Sequence, residues 1–216
     1  IYEVGVEQSL HFKQLFAAVE LLGWAKADML IHVRHGLYLS SDGKKFSTRR
    51  GKTIRLDKIL EEAIERAEKL TKGGNKRIAK AVGIGAVKYF DLLHNPSSDI
   101  VFDWDEIFAL EGNSASYLQY TCVRAQSVLT KVKSPASARG EQMSKVKSPS
   151  QSLEKEELLI LRLLIHFPEV VKEAADNFSP NLLCNYLFEL SQKFNNFYQK
   201  HKILQSKNQD FRLQLT

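Results

Sequence analysis

A basic loop carries the residues of this chain that are best suited to chemistry. Positions 44–58 read "KKFSTRRGKTIRLDK", in which seven of fifteen residues are lysine or arginine and one is aspartate. Arginine binds phosphate through two parallel hydrogen bonds, and lysine acts as a point charge. Such a loop can neutralise a triphosphate and stabilise charge that develops on pyrophosphate during displacement at an α-phosphate. The candidate cations are Lys44, Lys45, Arg49 and Arg50, and Ser47 and Thr48 add hydroxyl donors.

A simpler interpretation of this loop remains open. Asp42-Gly43 is a turn signal between an apolar run and the charged stretch, so a solvated hairpin turn also accounts for the sequence. Gly43 and Gly51 flank the core of the loop, and glycines there would let a ligand-binding loop open and close. The sequence therefore predicts either a phosphate clamp or a plain turn.

Other catalytic arrangements are scarce. His11 lies in an apolar helical face and His32 lies inside a predicted strand, where histidines are more often core or edge residues than catalysts. The sequence has no Ser/His/Asp arrangement, no carboxylate pair of defined spacing, and no Walker or GxGxxG loop. Cys122 and Cys184 have no metal-ligand spacing, so we predict no structural metal, no disulfide framework and a reducing compartment.

Aromatic residues suggest a second site. Tyr117, Tyr120 and Arg124 recur at helical spacing and could stack on unpaired bases while the arginine reaches a phosphate or a base edge. They could equally be core residues of an amphipathic helix. Tyr186 on the last long helix poses the same choice.

The elements around the basic loop form an α/β unit. Residues 1–6 are predicted to be a strand and residues 9–22 a helix. The inner face of this helix is predicted to hold Leu10, Leu15, Phe16, Val19 and Leu22. Residues 28–39 are β-rich and are predicted to continue as a strand after a bend at Arg34-His35-Gly36. Strand, helix and strand in this order are typical of an α/β unit.

The rest of the chain is predicted to be almost entirely helical. Helices are expected at 55–70, 75–93 and 114–132, with a short strand or turn between the second and third. Gly83 and Gly85 within one helix indicate close packing or approach of a substrate, because each costs about 1 kcal/mol relative to alanine. Three further helices are expected at 153–167, 168–178 and 180–204, two of them opening with Pro168 and Pro180. These form an α-helical bundle.

Composition places the chain among ordinary globular proteins. It has 216 residues, of which 44% are hydrophobic and 26% charged, enough for one large domain or two small ones. The net charge of +6 is compatible with nucleic-acid or phosphate ligands, although solubility alone also explains it. No apolar run reaches the ~18–20 residues of a membrane span, and no signal peptide is predicted. The chain begins without methionine, so we expect a fragment whose N-terminal part is missing.

The residues and the order of these segments resemble those of the arginyl-tRNA synthetases, which are class I aminoacyl-tRNA synthetases. The resemblance rests on "EQSLHFKQLF" with "IHVRHGLYL", on "DGKKFSTRRGKTIRLDKIL", on "AVGIGAVKYFDLLHN", and on "LEGNSASYLQYTCVRAQSV" with "PNLLCNYLFELSQKFNNFY". The loop is similar to the Lys-Met-Ser-Lys signature of class I, written here Lys45-Phe46-Ser47-Thr48-Arg49. The family's His-Ile-Gly-His signature is absent, so we expect that this chain alone does not aminoacylate.

The resemblance implies a reaction and roles for particular residues. In such enzymes the loop closes over ATP while the carboxylate of L-arginine attacks the α-phosphate, giving arginyl-adenylate and pyrophosphate. Lys45 and Arg49 would stabilise the transition state, with Lys44 and Ser47 assisting. Phe46 belongs to the same ATP-binding loop. Magnesium ions would accompany the ATP.

Further roles follow from the same resemblance. Gln8 would contact the substrate arginine, His11 would lie near the adenylate, and His32 and Val33 would offer backbone hydrogen bonds to adenine. Tyr120 and Tyr186 would meet the anticodon loop of tRNA-Arg, and the residue pattern adds Tyr117 and Arg124 as tRNA-binding candidates.

The expected fold is mainly α with a small α/β part: the C-terminal half of a Rossmann-like nucleotide-binding fold, followed by an α-helical anticodon-binding bundle. We divide it into the end of the catalytic domain (1–58), a helical connection that contacts the tRNA stem (59–111), and the bundle (112–216) with a mobile insertion at about 131–152. A monomer in the cytoplasm is expected.

Three other functions remain possible. A non-catalytic tRNA- or RNA-binding module would keep the bundle but has no use for a triphosphate clamp. A sister enzyme such as cysteinyl-tRNA synthetase should carry zinc-ligand cysteines, which two isolated cysteines do not supply. A plain helical interaction protein leaves the basic loop unexplained.

Overall fold

The computed structural model describes residues 1–45, 55–71, 74–131, 149 and 152–216. Phe46, Ser47 and Arg49 of the predicted phosphate clamp lie outside the described residues, as does nearly all of the predicted insertion at 131–152. The described part is mainly helical with a small α/β part, as the sequence predicted, and its strands form two short parallel pairs. No helix in it is both long and apolar enough to cross a membrane.

The N-terminal part is the predicted strand–helix–strand unit. Strand β1 (Tyr2–Gly5) lies parallel to β2 (His32–His35), and helix α1 (Ser9–Leu21) forms the crossover between them. In register, Tyr2 pairs with His32 and Gly5 pairs with His35, so both strands end at the same edge. A parallel pair needs such a crossover, which explains the position of the helix.

The prediction that the second strand continues after its bend is wrong. The chain leaves β2 at Gly36, and Tyr38–Leu39 forms a separate strand, β3, parallel to β4 (Ile100–Val101). The N–H of Gly36 donates to the Pro96 carbonyl at 2.7 Å, and a Cβ at Gly36 would lie 2.1 Å from the Ser98 carbonyl oxygen. Close backbone contact with the 95–102 segment therefore redirects the strand.

The predicted inner face of α1 is only partly confirmed, because Phe16 and Val19 are half-buried. Phe12 is the buried residue of this helix and contacts Tyr2, Phe16 and His32. Leu10 and Leu22 are instead exposed. The described structure covers α1 only on the side that faces β1 and β2, so the remaining apolar side chains contact solvent there.

Two helices follow the basic loop and pack closely against each other. Helix α2 spans Leu56–Leu70 and α3 spans Lys76–Leu93, which begins after Asn75, whose side chain accepts the N–H of Arg77. A Cβ at Gly83 would lie 2.5 Å from the Ala63 carbonyl oxygen, so the predicted close packing at this glycine is confirmed. Small residues at the contact let the two helix backbones approach.

A short segment joins these helices to the bundle. Strand β4 is followed by helix α4 (Trp104–Ile107), whose start is capped by the Asp103 side chain. The core of this region contains Ala86, Phe90, Ile100, Ile107 and Ala115.

The bundle contains helices α5 (Ala115–Lys131), α6 (Lys155–Asp176), α7 (Asn181–Lys200) and α8 (Gln209–Gln214). Its core joins all four helices and the segment before the last one, through Val128, Ile160, Phe194, Phe197, Ile203, Phe211 and Leu215. The bundle is the predicted C-terminal helical unit.

The predicted helix break at Pro168 is wrong, because α6 continues through it. A proline inside a helix costs about 3 kcal/mol through the lost hydrogen bond and the clash with the preceding turn. Helix α6 nevertheless packs along α7 on both sides of the proline, with Ile160 and Ala174 buried. Packing therefore outweighs the local cost. The next helix begins at Asn181, with Pro180 as its N-cap rather than its first residue.

Candidate nucleotide and RNA sites

The base of the basic loop lies beside the carboxyl ends of β1 and β2. After β1, residues Val6–Gln8 form a single 3-10 turn that leads into α1. Within that turn the Glu7 carboxylate forms an ion pair with the Lys45 ammonium, and Gln8 follows directly. The structure thus brings predicted ATP-site and arginine-site residues to one edge. Ligands of open α/β sheets commonly bind at this edge.

The loop starts as a tight turn that orients Lys44 and Lys45. The Gly43 N–H donates to the Ser40 carbonyl at 2.8 Å, and the Ser40 N–H donates to the Lys44 carbonyl at 2.9 Å. Gly43 has a φ of 72°, a conformation that glycine adopts without strain. Lys45 then pairs with Leu39 as an antiparallel bridge. The predicted Asp42-Gly43 turn is therefore present, and it forms the first part of the loop.

The Asp42 carboxylate is stabilised in its charged form by interactions within the turn. The Ser40 hydroxyl donates to the Asp42 carboxylate, and Lys44 lies 3.1 Å from the other carboxylate oxygen. These interactions lower the pKa of Asp42 to about 2, with the Ser40 hydrogen bond as the main cause. The turn therefore carries a permanent negative charge beside its lysines.

The histidines at this edge differ in their surroundings. The His32 ring stacks on Phe12 with centroids 4.4 Å apart, and its Nε2 lies 2.9 Å from the Val4 carbonyl oxygen. Its side chain therefore connects β2, β1 and α1. His11 is exposed on α1, one turn after Gln8. The backbone of His32 and Val33 pairs with β1, and no described strand pairs with the other edge of β2.

Strand β3 leads into the basic loop. Hydrogen bonds attach this part of the chain to α3 and to the segment that follows α3. The Tyr38 hydroxyl donates to Asp91 on α3 at 2.5 Å, and the Leu37 N–H donates to the Asp99 carboxylate at 2.8 Å. Burial raises the pKa of Tyr38, and the hydrogen bond and charge of Asp91 raise it further. Tyr38 therefore stays protonated and keeps this hydrogen bond at every physiological pH.

In the bundle, two of the tRNA-binding candidates form a pair. Tyr120 is 56% exposed, and the Arg124 guanidinium lies over its ring with the central carbon 4.4 Å from the centroid. Tyr117 is half-buried, and its ring contacts Phe188 edge-on at 5.6 Å. The structure therefore brings Tyr120 and Arg124 to the surface together, while Tyr117 packs partly between helices.

Tyr186 has the position of a core residue. Its side chain is 7% exposed, its ring contacts Phe167, and its hydroxyl donates to the Leu163 carbonyl at 3.0 Å. Its hydrogen-bonding group and most of its ring are therefore occupied within the protein. We leave Tyr186 out of the RNA surface proposed below.

Helix α3 carries a basic surface that the sequence analysis missed. Lys76, Arg77, Lys80 and Lys88 are exposed, and none forms an ion pair with another described residue. By contrast, Lys58 and Arg66 on α2 pair with Glu61 and Glu62. The signal in the sequence is the absence of an acidic residue from α3 before Asp91.

Metal ligands are not grouped in the described part of the chain. In it, no cluster of three or more His, Cys, Asp or Glu residues could hold a metal ion. A magnesium ion that accompanies ATP needs no such cluster, because it takes most of its ligands from phosphates and water.

Two protein-family models match the chain in the order of its structural parts. The model of the class I tRNA synthetase (R) catalytic domain matches residues 1–104. The model of the DALR anticodon binding domain matches residues 118–216. The first match includes the edge formed by β1, β2 and the loop, and the second includes most of α5 and the rest of the bundle.

The curated relatives that match this chain are much longer than it. An arginine–tRNA ligase of Cyanothece sp. is 41% identical over 95% of this chain and 37% of the relative. An arginine–tRNA ligase of Lactococcus lactis subsp. cremoris is 38% identical over 100% of this chain and 38% of the relative. The chain thus spans a little over a third of the length of these relatives.

Solved structures of arginyl-tRNA synthetases have a fold similar to that of this chain. Thermus thermophilus arginyl-tRNA synthetase superimposes with a TM-score of 0.80 at 27% identity, covering 99% of this chain and 36% of that one. The Plasmodium falciparum enzyme shares the fold with a TM-score of 0.76 at 23% identity. With both family models and the curated relatives pointing the same way, the chain belongs to the arginyl-tRNA synthetase family.

Proposed function

We propose that this chain supplies the phosphate-binding loop and the tRNA-binding helices of an arginine–tRNA ligase. The whole enzyme would form arginyl-adenylate from ATP and L-arginine and transfer the arginine to tRNA-Arg. The observation that carries the proposal is the Lys45–Glu7 ion pair, which holds the start of the basic loop at the carboxyl edge of the strands. Since the chain spans a little over a third of its relatives, we expect these residues alone not to aminoacylate.

The proposed reaction is an in-line displacement at phosphorus. A carboxylate oxygen of arginine attacks the α-phosphorus, the bond from that phosphorus to the bridging oxygen breaks, and pyrophosphate leaves with both electrons of the bond. Lys45 and Arg49 would neutralise the charge that develops on pyrophosphate, with Lys44 and Ser47 assisting. The ATP phosphates would replace Glu7 as the partner of Lys45 when the loop closes.

Other residues at this edge would bind the substrates. The edge of β2 that no described strand pairs with is compatible with hydrogen bonds from His32 and Val33 to adenine. Gln8 would contact the arginine substrate, His11 would lie near the adenylate, and Phe46 would contact ATP within the loop. The described residues contain no cluster of three metal-binding side chains, and we assign no step to the magnesium ion.

The helical part would bind tRNA-Arg through charge and stacking. The exposed cations of α3 would contact phosphates of the tRNA stem from the predicted connection at 59–111. Tyr120 and Arg124, with Tyr117 beside them, would meet unpaired nucleotides at the bundle, 112–216. A monomeric state and a cytoplasmic location belong to the same proposal.

Binding of labelled tRNA-Arg and of one non-cognate tRNA tests this function. Fluorescence anisotropy at about 50 mM and about 200 mM salt gives the affinity and its salt dependence. We expect tighter binding of tRNA-Arg, and a salt slope that falls by about two when Arg77 and Lys80 are both changed to alanine. Lys58→Ala is the matched control, because Lys58 is already paired with Glu61.

The results separate the proposal from its rivals. Tyr120→Ala should weaken the preference for tRNA-Arg while leaving the salt slope unchanged, because it removes no charge. Equal binding of both tRNAs by the unmodified chain would instead indicate a general RNA-binding module. No binding at either salt concentration would contradict the tRNA-binding part of the proposal.

A further inference from the structure

The Arg124 guanidinium is held between two helices of the bundle. Its central carbon lies 4.4 Å from the ring centroid of Tyr120 on α5 and 4.8 Å from that of Tyr198 on α7. Its Nη1 donates to the Asn195 side-chain oxygen at 2.7 Å, and its Nη2 donates to the Tyr120 hydroxyl. Cation–π contact and hydrogen bonds therefore fix one orientation of the side chain.

Asn195 is the buried member of this arrangement. It is 6% exposed, and its Nδ2 donates to the Thr121 hydroxyl oxygen at 2.7 Å. The Thr121 hydroxyl in turn donates to the Tyr117 carbonyl at 2.9 Å. Since a guanidinium can only donate, Asn195 must turn its oxygen towards Arg124, and its nitrogen then faces Thr121. The network is complete in one orientation only.

This network leaves binding groups unused at the surface. A guanidinium has five N–H donors, and within the described residues Arg124 uses two of them, on Asn195 and Tyr120. Tyr120 is covered by Arg124 on one side but is 56% exposed overall, so its ring offers a stacking surface. A flat aromatic surface beside free arginine donors fits an unpaired nucleotide, whose base stacks while its phosphate or base edge accepts hydrogen bonds.

We infer that Asn195 is a positioning residue for recognition of one unpaired nucleotide of the RNA. It contacts no nucleotide itself. It holds Arg124 against Tyr120 before binding, so that the stacking surface and the hydrogen-bond donors are already arranged. This inference rests on the proposed tRNA-binding function and adds a residue that lies 71 positions from its partner.

Asn195→Leu, which removes the acceptor at similar volume, tests the inference. With labelled tRNA-Arg as the probe, we expect the Kd to rise about tenfold. This increase lies within the range expected when one base–aromatic stack is lost. The salt slope should stay unchanged, because Arg124 keeps its charge. Thr121→Val is the matched control: it disturbs the same buried network but leaves the Arg124–Asn195 bond, so the Kd should change less than about twofold.

A double-mutant cycle distinguishes positioning from general destabilisation. In a Tyr120→Ala background, Asn195→Leu should have little further effect on the Kd, because the surface it orders is gone. Circular dichroism confirms folding of each variant. If Asn195→Leu does not fold, Tyr198→Leu, which removes the second ring around Arg124, should give the same Tyr120-dependent loss.

Each outcome bears on one proposal. Unchanged binding by Asn195→Leu, an equal loss with Thr121→Val, or additive effects with Tyr120→Ala would overturn the positioning role while tRNA binding stands. Failure of the unmodified chain to bind tRNA-Arg would overturn the proposed function, and the positioning role with it.

Discussion

Glu7 and Lys45 illustrate how a residue acquires its role from a distant partner. Lys45 is identifiable from the sequence, because a dense run of cations after an apolar segment is typical of phosphate binding. Glu7 is not identifiable in this way, since a single acidic residue near a strand end has many possible roles. The ion pair joins residues 38 positions apart and follows only from the fold.

The Glu156 carboxylate supports a prediction about pH. It accepts hydrogen bonds from Lys200 at 2.7 Å and from His201 at 3.0 Å, and these contacts, Lys200 first, lower its pKa to about 2. A lowered pKa contributes stability that is complete above the ordinary value of about 4.5 and is lost as the pH falls towards 2. Glu156→Gln should therefore lower the free energy of unfolding at pH 7, and the difference should shrink below pH 4.5.

Urea unfolding followed by circular dichroism between pH 3 and pH 7 measures this difference. Glu169→Gln is the control, because Glu169 lies on the same helix but pairs with His166 at an exposed position. Exposed pairs contribute little, so this variant should behave like the unmodified protein. A difference for Glu156→Gln that stays constant over the whole pH range would contradict the prediction.

The tyrosines mark how far sequence reasoning reaches for single side chains. Helical spacing correctly grouped Tyr120 with Arg124, because residues four apart lie on one face of a helix. The same reasoning could not place Tyr186 in the core or find Asn195. Burial of those two depends on how α7 packs against α5 and α6, which no local pattern records.

Among the helices, α2 and α3 pack so closely that their contact leaves no room for an added methyl group at Gly83. A methyl group at Gly83 would meet the backbone of Ala63 at 2.5 Å, and backbone cannot move aside cheaply. Gly83→Ala should therefore destabilise the protein by about 1–3 kcal/mol despite the better helix propensity of alanine. Thermal or urea unfolding monitored by helical circular dichroism gives the value.

Gly85 on the same helix provides the matched comparison. A methyl group there would meet only the end of the Gln119 side chain, at 2.7 Å from its nitrogen, and that side chain can rotate away. Gly85→Ala should change the free energy of unfolding by less than about 1 kcal/mol, since alanine favours the helix. Equal losses at both positions would show that the backbone contact is not the cause.

The helices that the sequence predicted correctly are those whose apolar spacing is regular and whose ends carry turn residues. The break at Pro168 was wrong because the cost of a helical proline is local, whereas the packing of α6 along α7 extends over both sides of it. Leu10 and Leu22, on the predicted inner face of α1, are exposed for a different reason: periodicity shows which side chains are apolar, not which of them the structure covers.

For the molecule as a whole, exposed apolar residues at the N-terminal part should govern behaviour in solution. Large side chains there are more than half exposed, among them Leu21 at 88% and Trp24 at 76%. Neighbouring apolar side chains on a surface promote association. Changing both residues to lysine should reduce binding of a hydrophobic dye without lowering helical content.

Leu110→Lys is the control for this experiment. Leu110 is 70% exposed but lies in the segment between the strand pairs and the bundle, away in sequence from the other apolar residues. A single exposed leucine is ordinary, so dye binding should change little. An equal effect of this variant would contradict a special role for the N-terminal residues.

The overall order of an α/β part followed by helices was predictable, because periodicity and turn signals repeat along the chain. The connection between the two parts was not. Gly36, Tyr38 and Asp91 join them through a close backbone contact and through backbone and side-chain hydrogen bonds. A short strand of two residues gives almost no sequence signal.

The pairing of β3 with β4 also determines when the basic loop becomes anchored during synthesis on the ribosome. Tyr38 and Ile100 are 62 positions apart, as are Leu39 and Val101. At about 5–20 residues per second, the strand that anchors the basic loop waits about 3–12 s for its partner to be translated. Helices α2 and α3 are made during that interval, so the nascent chain acquires its anchored loop only after both of them exist.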